Sequence, residues 1–252
     1  MVRISLLSIF LLFVSLDLRS QDKPILHSHN DYEKAVPIDN ALEHGCTSLE
    51  VDIAFDGLEI RVTHEVEDLI NKPFFESNYL KPYFDAPKSS EHTYILLVDL
   101  KNFSNEMLDH LHNLLVKYDQ HLVKRGEVAG PGKTRVLLSG AYHRINVINE
   151  NRYIYFFIDG RLEYLSQGIS PDVMPWISTN FTHHSSYKGY FWIGRKNKKA
   201  LQALVDKVHG QGYRLRFWKT PDRRKIWNLL RDLGVDVIAT DDVVELSEHV
   251  GR

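Results

Sequence analysis

Three carboxylates stand where strand periodicity can bring them together. Glu50 and Asp52 lie two apart in Ser48-Leu-Glu50-Val-Asp52-Ile-Ala54, and Asp99 sits near the end of Leu96-Leu-Val-Asp99-Leu-Lys101. Residues two apart on a strand share a face, and an acid closing an apolar strand is costly to bury unless it is paired or binds a cation. Three oxygen ligands from short carboxylates suit one hard divalent cation, Mg2+ or Ca2+, better than zinc. Lys101 follows Asp99 on the same side of its strand, where its ammonium can neutralise the acids or hold a phosphate oxygen.

Two histidines finish the extended runs that lead to these acids. His29 follows Pro24 to Ser28 within His27-Ser-His29-Asn-Asp31-Tyr, and His64 ends Leu58-Glu-Ile-Arg-Val-Thr63. A pair of imidazoles near a metal-bound phosphate can divide the proton transfers of phosphodiester cleavage, one taking a proton from the attacking oxygen and the other protonating the leaving alkoxide. Asp56-Gly57 between two extended runs signals a hairpin, which would carry His64 back towards Glu50 and Asp52.

The elements that must position these groups alternate along the chain. The pattern predicts strands over Pro24–Ser28, Ser48–Ala54, Tyr94–Asp99, Arg135–Ser139, Tyr153–Ile158, Trp176–Asn180, Arg214–Trp218 and Val237–Thr240. Helical periodicity falls at Pro37–His44, Glu106–Tyr118, Lys196–His209 and Arg223–Leu233, with Gly210, Gly212 and Gly234 as stops. Alternating strands and helices imply a parallel sheet, and eight such units give an α/β fold of the (β/α)8 TIM-barrel type, whose site lies at the C-terminal ends of the strands.

The 252 residues, 43% apolar and 25% charged, suit one large core. Against 31 basic residues stand 33 acidic ones, so net charge gives no field for nucleic acid or a polyanionic surface. Arg3 and the uncharged run Ile4 to Leu16 read as a signal peptide over residues 1–20, with Ser20 before Gln21 as the cleavage point. Residues 21–252 would then form one exported barrel domain, secreted or periplasmic, with room for contact at a membrane surface. Cys46 is the single cysteine, so no internal disulfide is available and burial is its expected role. Asn102-Phe-Ser104 and Asn180-Phe-Thr182 fit glycosylation acceptors.

The stretch His29-Asn-Asp-Tyr, Ala41-Leu-Glu-His-Gly45, Glu50-Val-Asp52, Asp56-Gly57 and His64-Glu65 resembles the opening motif of glycerophosphodiester phosphodiesterases. Arg216-Phe-Trp218-Lys-Thr-Pro-Asp222 and Gly234-Val-Asp-Val-Ile-Ala-Thr240-Asp241 are similar to that family's seventh and eighth strands. His29-Asn30-Asp31 replaces the usual His-Arg-Gly, and Asp99-Leu-Lys101 replaces Glu-x-Lys. The second change, together with Trp218, is similar to sphingomyelinase D. The run His27 to Tyr32 most resembles the altered inheritance of mitochondria proteins of the same phosphatidylinositol phospholipase C-like superfamily. The resemblance implies metal ligation by Glu50, Asp52 and Asp99, catalysis by His29 and His64, and substrate contact by Lys101 and Trp218. The implied activity is hydrolysis of a small-molecule or phospholipid phosphodiester.

Two other readings compete. His27-x-His29, with His183, His184 and Asp241, could form an amidohydrolase-like metal site, although that leaves Glu50, Asp52 and His64 without a task. Alternatively the barrel is inactive and binds lipids or protein partners.

Overall fold

The structure, a computed structural model, describes residues 23–141 and 152–250. The expected signal peptide and its cleavage point lie outside the described residues. Nine strands form one sheet: β1 (Ile25–Ser28), β2 (Ser48–Phe55), β3 (Ile60–Val62), β4 (Tyr94–Leu100), β5 (Thr134–Gly140), β6 (Phe156–Gly160), β7 (Trp176–Asn180), β8 (Arg214–Trp218) and β9 (Val237–Thr240). Eight of them run parallel and close into a barrel, because β1 pairs with both β2 and β9. β3 is the exception. It returns antiparallel along the overhanging end of β2, with Ile53 opposite Val62 and Phe55 opposite Ile60, as the Asp56-Gly57 turn requires.

Seven α-helices are described: α1 (Asp39–Glu43), α2 (Lys81–Asp85), α3 (Asn105–Val116), α4 (Phe181–His184), α5 (Arg195–His209), α6 (Arg224–Leu233) and α7 (Val243–Val250). Local chemistry sets their ends. Ser104 caps α3 by accepting a hydrogen bond from Met107 N at 3.1 Å, and α6 stops at Gly234, whose φ of 79° is left-handed. α6 buries Ile226, Trp227, Leu230 and Leu233 along one stripe, the amphipathic spacing expected of a helix lying on a barrel.

Strand alternation divides the core into two. On β4, Leu96, Val98 and Leu100 point outwards into the layer under the helices, where they join Met107, Leu108 and Leu111 of α3. Ile95 and Leu97 point inwards and meet Leu137, Phe157, Trp176 and Val237 inside the barrel. Higher up, the inward columns turn polar: His27, Glu50, Asp52, Ser139, Asp159, Ser178 and Arg216 are all buried.

One expectation needs correction. β6 begins at Phe156 rather than Tyr153, because Tyr153 and Tyr155 are used beneath α3 and the turn that follows it. Their hydroxyls donate to Asp109 at 2.7 Å and Asp119 at 2.6 Å. The two glycosylation asparagines are also engaged. Asn102 exchanges hydrogen bonds with the Phe55 backbone at 2.8 Å each way, and buried Asn180 accepts from Thr182 N at 2.9 Å.

Asp159 anchors the barrel interior. It is fully buried and accepts hydrogen bonds from Trp176 Nε1 at 2.7 Å and Ser139 Oγ at 2.8 Å, and from Ser178 and Arg161. Burial alone would raise its carboxyl, yet Arg161 and Arg216 hold it below the usual range. Removing one partner of a buried ion pair strands the other, so Asp159→Asn is expected to cost about 3 kcal/mol. The check is urea denaturation: the midpoint should fall with the slope unchanged, and an unaltered midpoint would refute the assignment.

Candidate active site

The mouth of the barrel holds one pocket of about 550 Å3 at the C-terminal strand ends, lined by His29, Glu50, His64, Asp99, Lys101, Arg161, Arg216, Trp218 and Asp241 among others. Its floor follows from the strand register. Asp52 pairs with Asp99 across β2 and β4, and Asp99 with Ser139 across β4 and β5. Glu50 lies one inward step below Asp52. Among the described residues, these three acids form the one group whose ligand atoms could share a metal ion, all within 4.8 Å of one another.

Each acid is partly neutralised. Glu50 Oε2 accepts from Arg216 Nη2 at 2.6 Å and from His27 Nε2 at 2.7 Å. Burial pushes this carboxyl up, but Arg216 and then His27 outweigh it and hold Glu50 well below the ordinary range. Lys101 Nζ lies 2.8 Å from Asp52 Oδ2 and 2.5 Å from Asp99 Oδ2. Asp52 is raised nonetheless, chiefly by burial, with the Asp99 charge adding to it and Lys101 opposing. Three donors, Lys101, His64 and Tyr32, converge on Asp52 Oδ2. Among the described residues, Oδ1 of the same group is buried with no hydrogen-bond partner. An orphaned carboxylate oxygen beside two further acids is what a divalent oxygen-seeking cation satisfies, so the residues present fit such an ion.

The two histidines are braced alike. His29 donates through Nδ1 to Asp241 Oδ1 at 2.8 Å, and His64 through Nδ1 to Asp52 Oδ2 at 2.7 Å. Both bonds leave Nε2 for proton transfer. Burial pulls His29 down, but Asp241 and Glu50 outweigh it and its pKa is raised. His64 reaches the site as the hairpin implied: Thr63 N donates to Asp52 O at 3.0 Å where β3 ends.

His27 is different. It is fully buried, and burial together with Arg216 lowers it to about 4. The neutral ring is used on both sides, with Nε2 donating to Glu50 and Nδ1 accepting from Ser48 Oγ at 2.7 Å. It therefore has no lone pair free for a metal, and the His-x-His reading loses its first ligand. His184 Nε2 is likewise engaged with Thr179 Oγ1 at 2.9 Å.

Residues that spacing did not single out complete the site. Arg216, Tyr32 and Asp241 stand only within the similar stretches or the rival site, and Arg161 is singled out by neither. Arg161 had a readable signal, since Asp159-Gly-Arg161 repeats the acid-x-cation pattern of Asp99-Leu-Lys101. Trp218 is half-buried in the pocket wall, with the Lys219 ammonium 5.2 Å from its ring centroid. Asn30 takes a left-handed conformation, and Asp31 accepts from Ser28, Ile38 N and Tyr79 at 2.7 to 2.8 Å. The Asn-Asp pair thus shapes the loop behind His29.

The barrel, the acid cluster and the flanking histidines make comparison with known proteins informative. Residues 17–89 match the AIM6-like phosphodiesterase domain. That span contains His29, Glu50, Asp52 and His64 and ends before Asp99. The altered inheritance of mitochondria protein 6 homolog of Arthroderma benhamiae is 25% identical, the match covering 86% of this chain and 81% of that protein. Protein 6 itself from Eremothecium gossypii is 24% identical over 91% and 71%. In fold, the chain is similar to a Ca2+-dependent phosphatidylinositol-specific phospholipase C from Streptomyces antibioticus (TM-score 0.57, 12% identity, 90% and 96% covered). It is also similar to a glycerophosphodiester phosphodiesterase from Agrobacterium tumefaciens (TM-score 0.56, 11% identity, 91% and 100% covered).

Asp99 keeps its place because Gly140 carries no side chain. A Cβ there would lie 2.6 Å from Asp99 Oδ1 and 2.3 Å from Leu100 O, at a φ of 83°. Gly132 is equally left-handed, with φ 79°, but open on all sides. Gly132→Ala should cost about 1 kcal/mol from conformation alone. Gly140→Ala should cost more than about 2 kcal/mol, because clash adds to strain. Thermal denaturation of the two variants measures the difference, and equal losses would show that no close approach constrains Asp99.

Proposed function

We propose that this protein is a divalent-cation-dependent phosphoric diester hydrolase acting on a glycerophosphodiester or phospholipid-type substrate. The observation that carries the reading is the convergence of His29 and His64, from different strands, on the pocket lined by Glu50 and Asp99, whose acid cluster Asp52 completes. A cation held by these three acids, Mg2+ or Ca2+, would neutralise charge on a phosphate oxygen, an effect worth several kcal/mol. Lys101, kept charged by Asp99 and Asp52, offers a second cation to the phosphate. Asp241 and Asp52 fix the two imidazoles through Nδ1, so that each Nε2 can give or take a proton at the reacting oxygens. Trp218 forms the wall for the alcohol portion, and the Lys219 ammonium beside its ring makes that wall less suited to a quaternary ammonium than to a neutral or anionic group.

Export belongs to the same proposal and rests on the charged start and apolar run of residues 1–20. N-terminal sequencing of the protein from its native host should begin near residue 21. A cytosolic chain starting at Met1 would contradict export and leave the chemistry untouched.

The chemistry is tested by separating ligands from proton carriers. Glu50→Gln, Asp52→Asn and Asp99→Asn keep shape and remove charge, so calorimetry should show Mg2+ or Ca2+ binding lost in each without unfolding. His29→Ala and His64→Ala should keep the metal and lose about 10²- to 10⁴-fold in turnover. The double variant should lose less than the product of the two, as residues acting in one unit do. A diester with an activated phenolic leaving group should rescue whichever variant lacks the acid. Metal binding unchanged in all three carboxamide variants would overturn the ligand assignment. Metal-stimulated binding without turnover of any phosphodiester would replace the enzyme with a lipid-binding barrel.

A further inference from the structure

The loop between α4 and α5 exposes three consecutive aromatic side chains: Tyr190 is 60% exposed, Phe191 85% and Trp192 90%. Their exposure is not a consequence of a loosely held chain. Lys225 Nζ donates to Tyr190 O at 3.0 Å and Tyr187 Oη to Phe191 O at 3.0 Å. Arg223 donates to Tyr190 Oη at 2.7 Å while its guanidinium lies 4.0 Å from the Tyr190 ring centroid. Gly189, at φ 81°, lets the loop approach, since a Cβ there would stand 2.9 Å from Arg223 Cδ. The backbone is fastened to the start of α6, and Phe191 and Trp192 are presented outwards. Removing so much aromatic surface from water is worth more than almost any other apolar burial, and this fold leaves it unburied.

Charge around the loop is one-sided. Residues 173–205 contain no acidic side chain and five cations, Lys188, Arg195, Lys196, Lys198 and Lys199. Four of these occupy the first five positions of the 15-residue α5, whose first turn has no acid. A helix N-terminus favours anions and disfavours cations, so this arrangement opposes helix stability and favours a negatively charged partner. The place is equally specific. The loop follows the C-terminal end of β7, and Arg223 adjoins Asp222 of the pocket lining, so aromatics and cations sit on the rim that opens into the candidate active site.

We propose that Phe191, Trp192 and the α5 N-terminus form a docking surface for an anionic phospholipid bilayer. The aromatic side chains enter the interfacial zone, where Trp and Tyr are favoured, and the lysines face the lipid phosphates. A bare bilayer surface fits better than a folded partner because it needs no pocket: two neighbouring protruding rings insert, and several cations act together through the surface potential. The pocket would then face the membrane plane.

The test uses the full domain and needs no catalytic activity. Of the four tryptophans, Trp176 and Trp227 are buried and Trp218 is half-buried in the pocket, so the part of an emission change that Trp192→Ser abolishes reports Trp192. Vesicles of phosphatidylcholine mixed with phosphatidylglycerol should shift the emission to the blue and carry the protein upwards in flotation. Pure phosphatidylcholine should do so much less. Phe191→Ser with Trp192→Ser should weaken partitioning by about tenfold or more. Lys196→Gln, Lys198→Gln and Lys199→Gln should each cost about fivefold on the anionic vesicles, an effect that salt should mimic. Circular dichroism confirms that the variants remain folded. Failure of the wild-type protein to float with anionic vesicles overturns the proposal. So does binding that is unchanged in both the aromatic and the lysine variants, or capture by a single-stranded oligonucleotide in place of vesicles. Because binding is read directly, its failure leaves the hydrolase reading standing, and the reverse holds too.

Discussion

Everything at the barrel mouth depends on how three neighbouring carboxylates are accommodated where the strand ends converge. Glu50 and Asp52 are 7% and 0% exposed, and an isolated ionised carboxylate in such a place would neutralise itself rather than stay. Arg216 and Lys101 supply two positive charges against the three acids. Among the described residues, the balance is incomplete by one charge and by one oxygen, Asp52 Oδ1. This deficit separates the site from a structural ion-pair network. It also accounts for the positions of the other groups: His64 and Tyr32 share the one satisfied oxygen of Asp52, and Arg216 is held at the floor of the pocket by Glu50.

The same strand grammar appears twice with opposite outcomes. Asp99-Leu-Lys101 ends β4 and Asp159-Gly-Arg161 ends β6, each with acid and cation on the inward face. Asp159 is saturated by Trp176, Ser139, Ser178 and Arg161 and becomes a structural anchor. Asp99 receives only Lys101, which it shares with its cross-strand neighbour Asp52, and on its other side the Gly140 backbone approaches closely, so it has one shared cation where Asp159 has four donors. Chemistry-bearing and load-carrying acids thus differ through their neighbours rather than through their own local sequence.

That difference explains what a one-dimensional reading recovers. The eight strands were legible because their apolar runs are interrupted by glycine and helical periodicity, and the acids because each sits at a fixed parity on its strand. The hairpin to His64 was legible from Asp56-Gly57. The Arg216 to Glu50 pair was not, since 166 residues separate its partners and neither stretch signals the other. The late start of β6 was hidden for a related reason. Tyr153 and Tyr155 have strand-like composition but spend their rings and hydroxyls on α3 and the turn after it, a tertiary demand that overrides propensity. The His-x-His pattern misled because spacing cannot distinguish an exposed imidazole from one whose two nitrogens are already used.

Net charge is likewise blind to where the charges sit. A balance of -2 over 252 residues argued against a polyanionic surface, yet association depends on the local potential, which is screened beyond roughly 8 to 10 Å in physiological salt. The first five positions of α5 present four cations and no acid, while the acids that cancel them in the sum lie elsewhere in the sequence, several in the pocket. The two charge clusters are built to opposite ends. In the pocket, lysine and arginine are consumed by carboxylates, which leaves room for a cation; on the rim, lysines stand without acids in their own segment and against the helix dipole. A phosphodiester drawn to the rim by the second cluster would meet the first only by entering the barrel mouth, which gives the placement of both on the C-terminal face of the strands a physical reason.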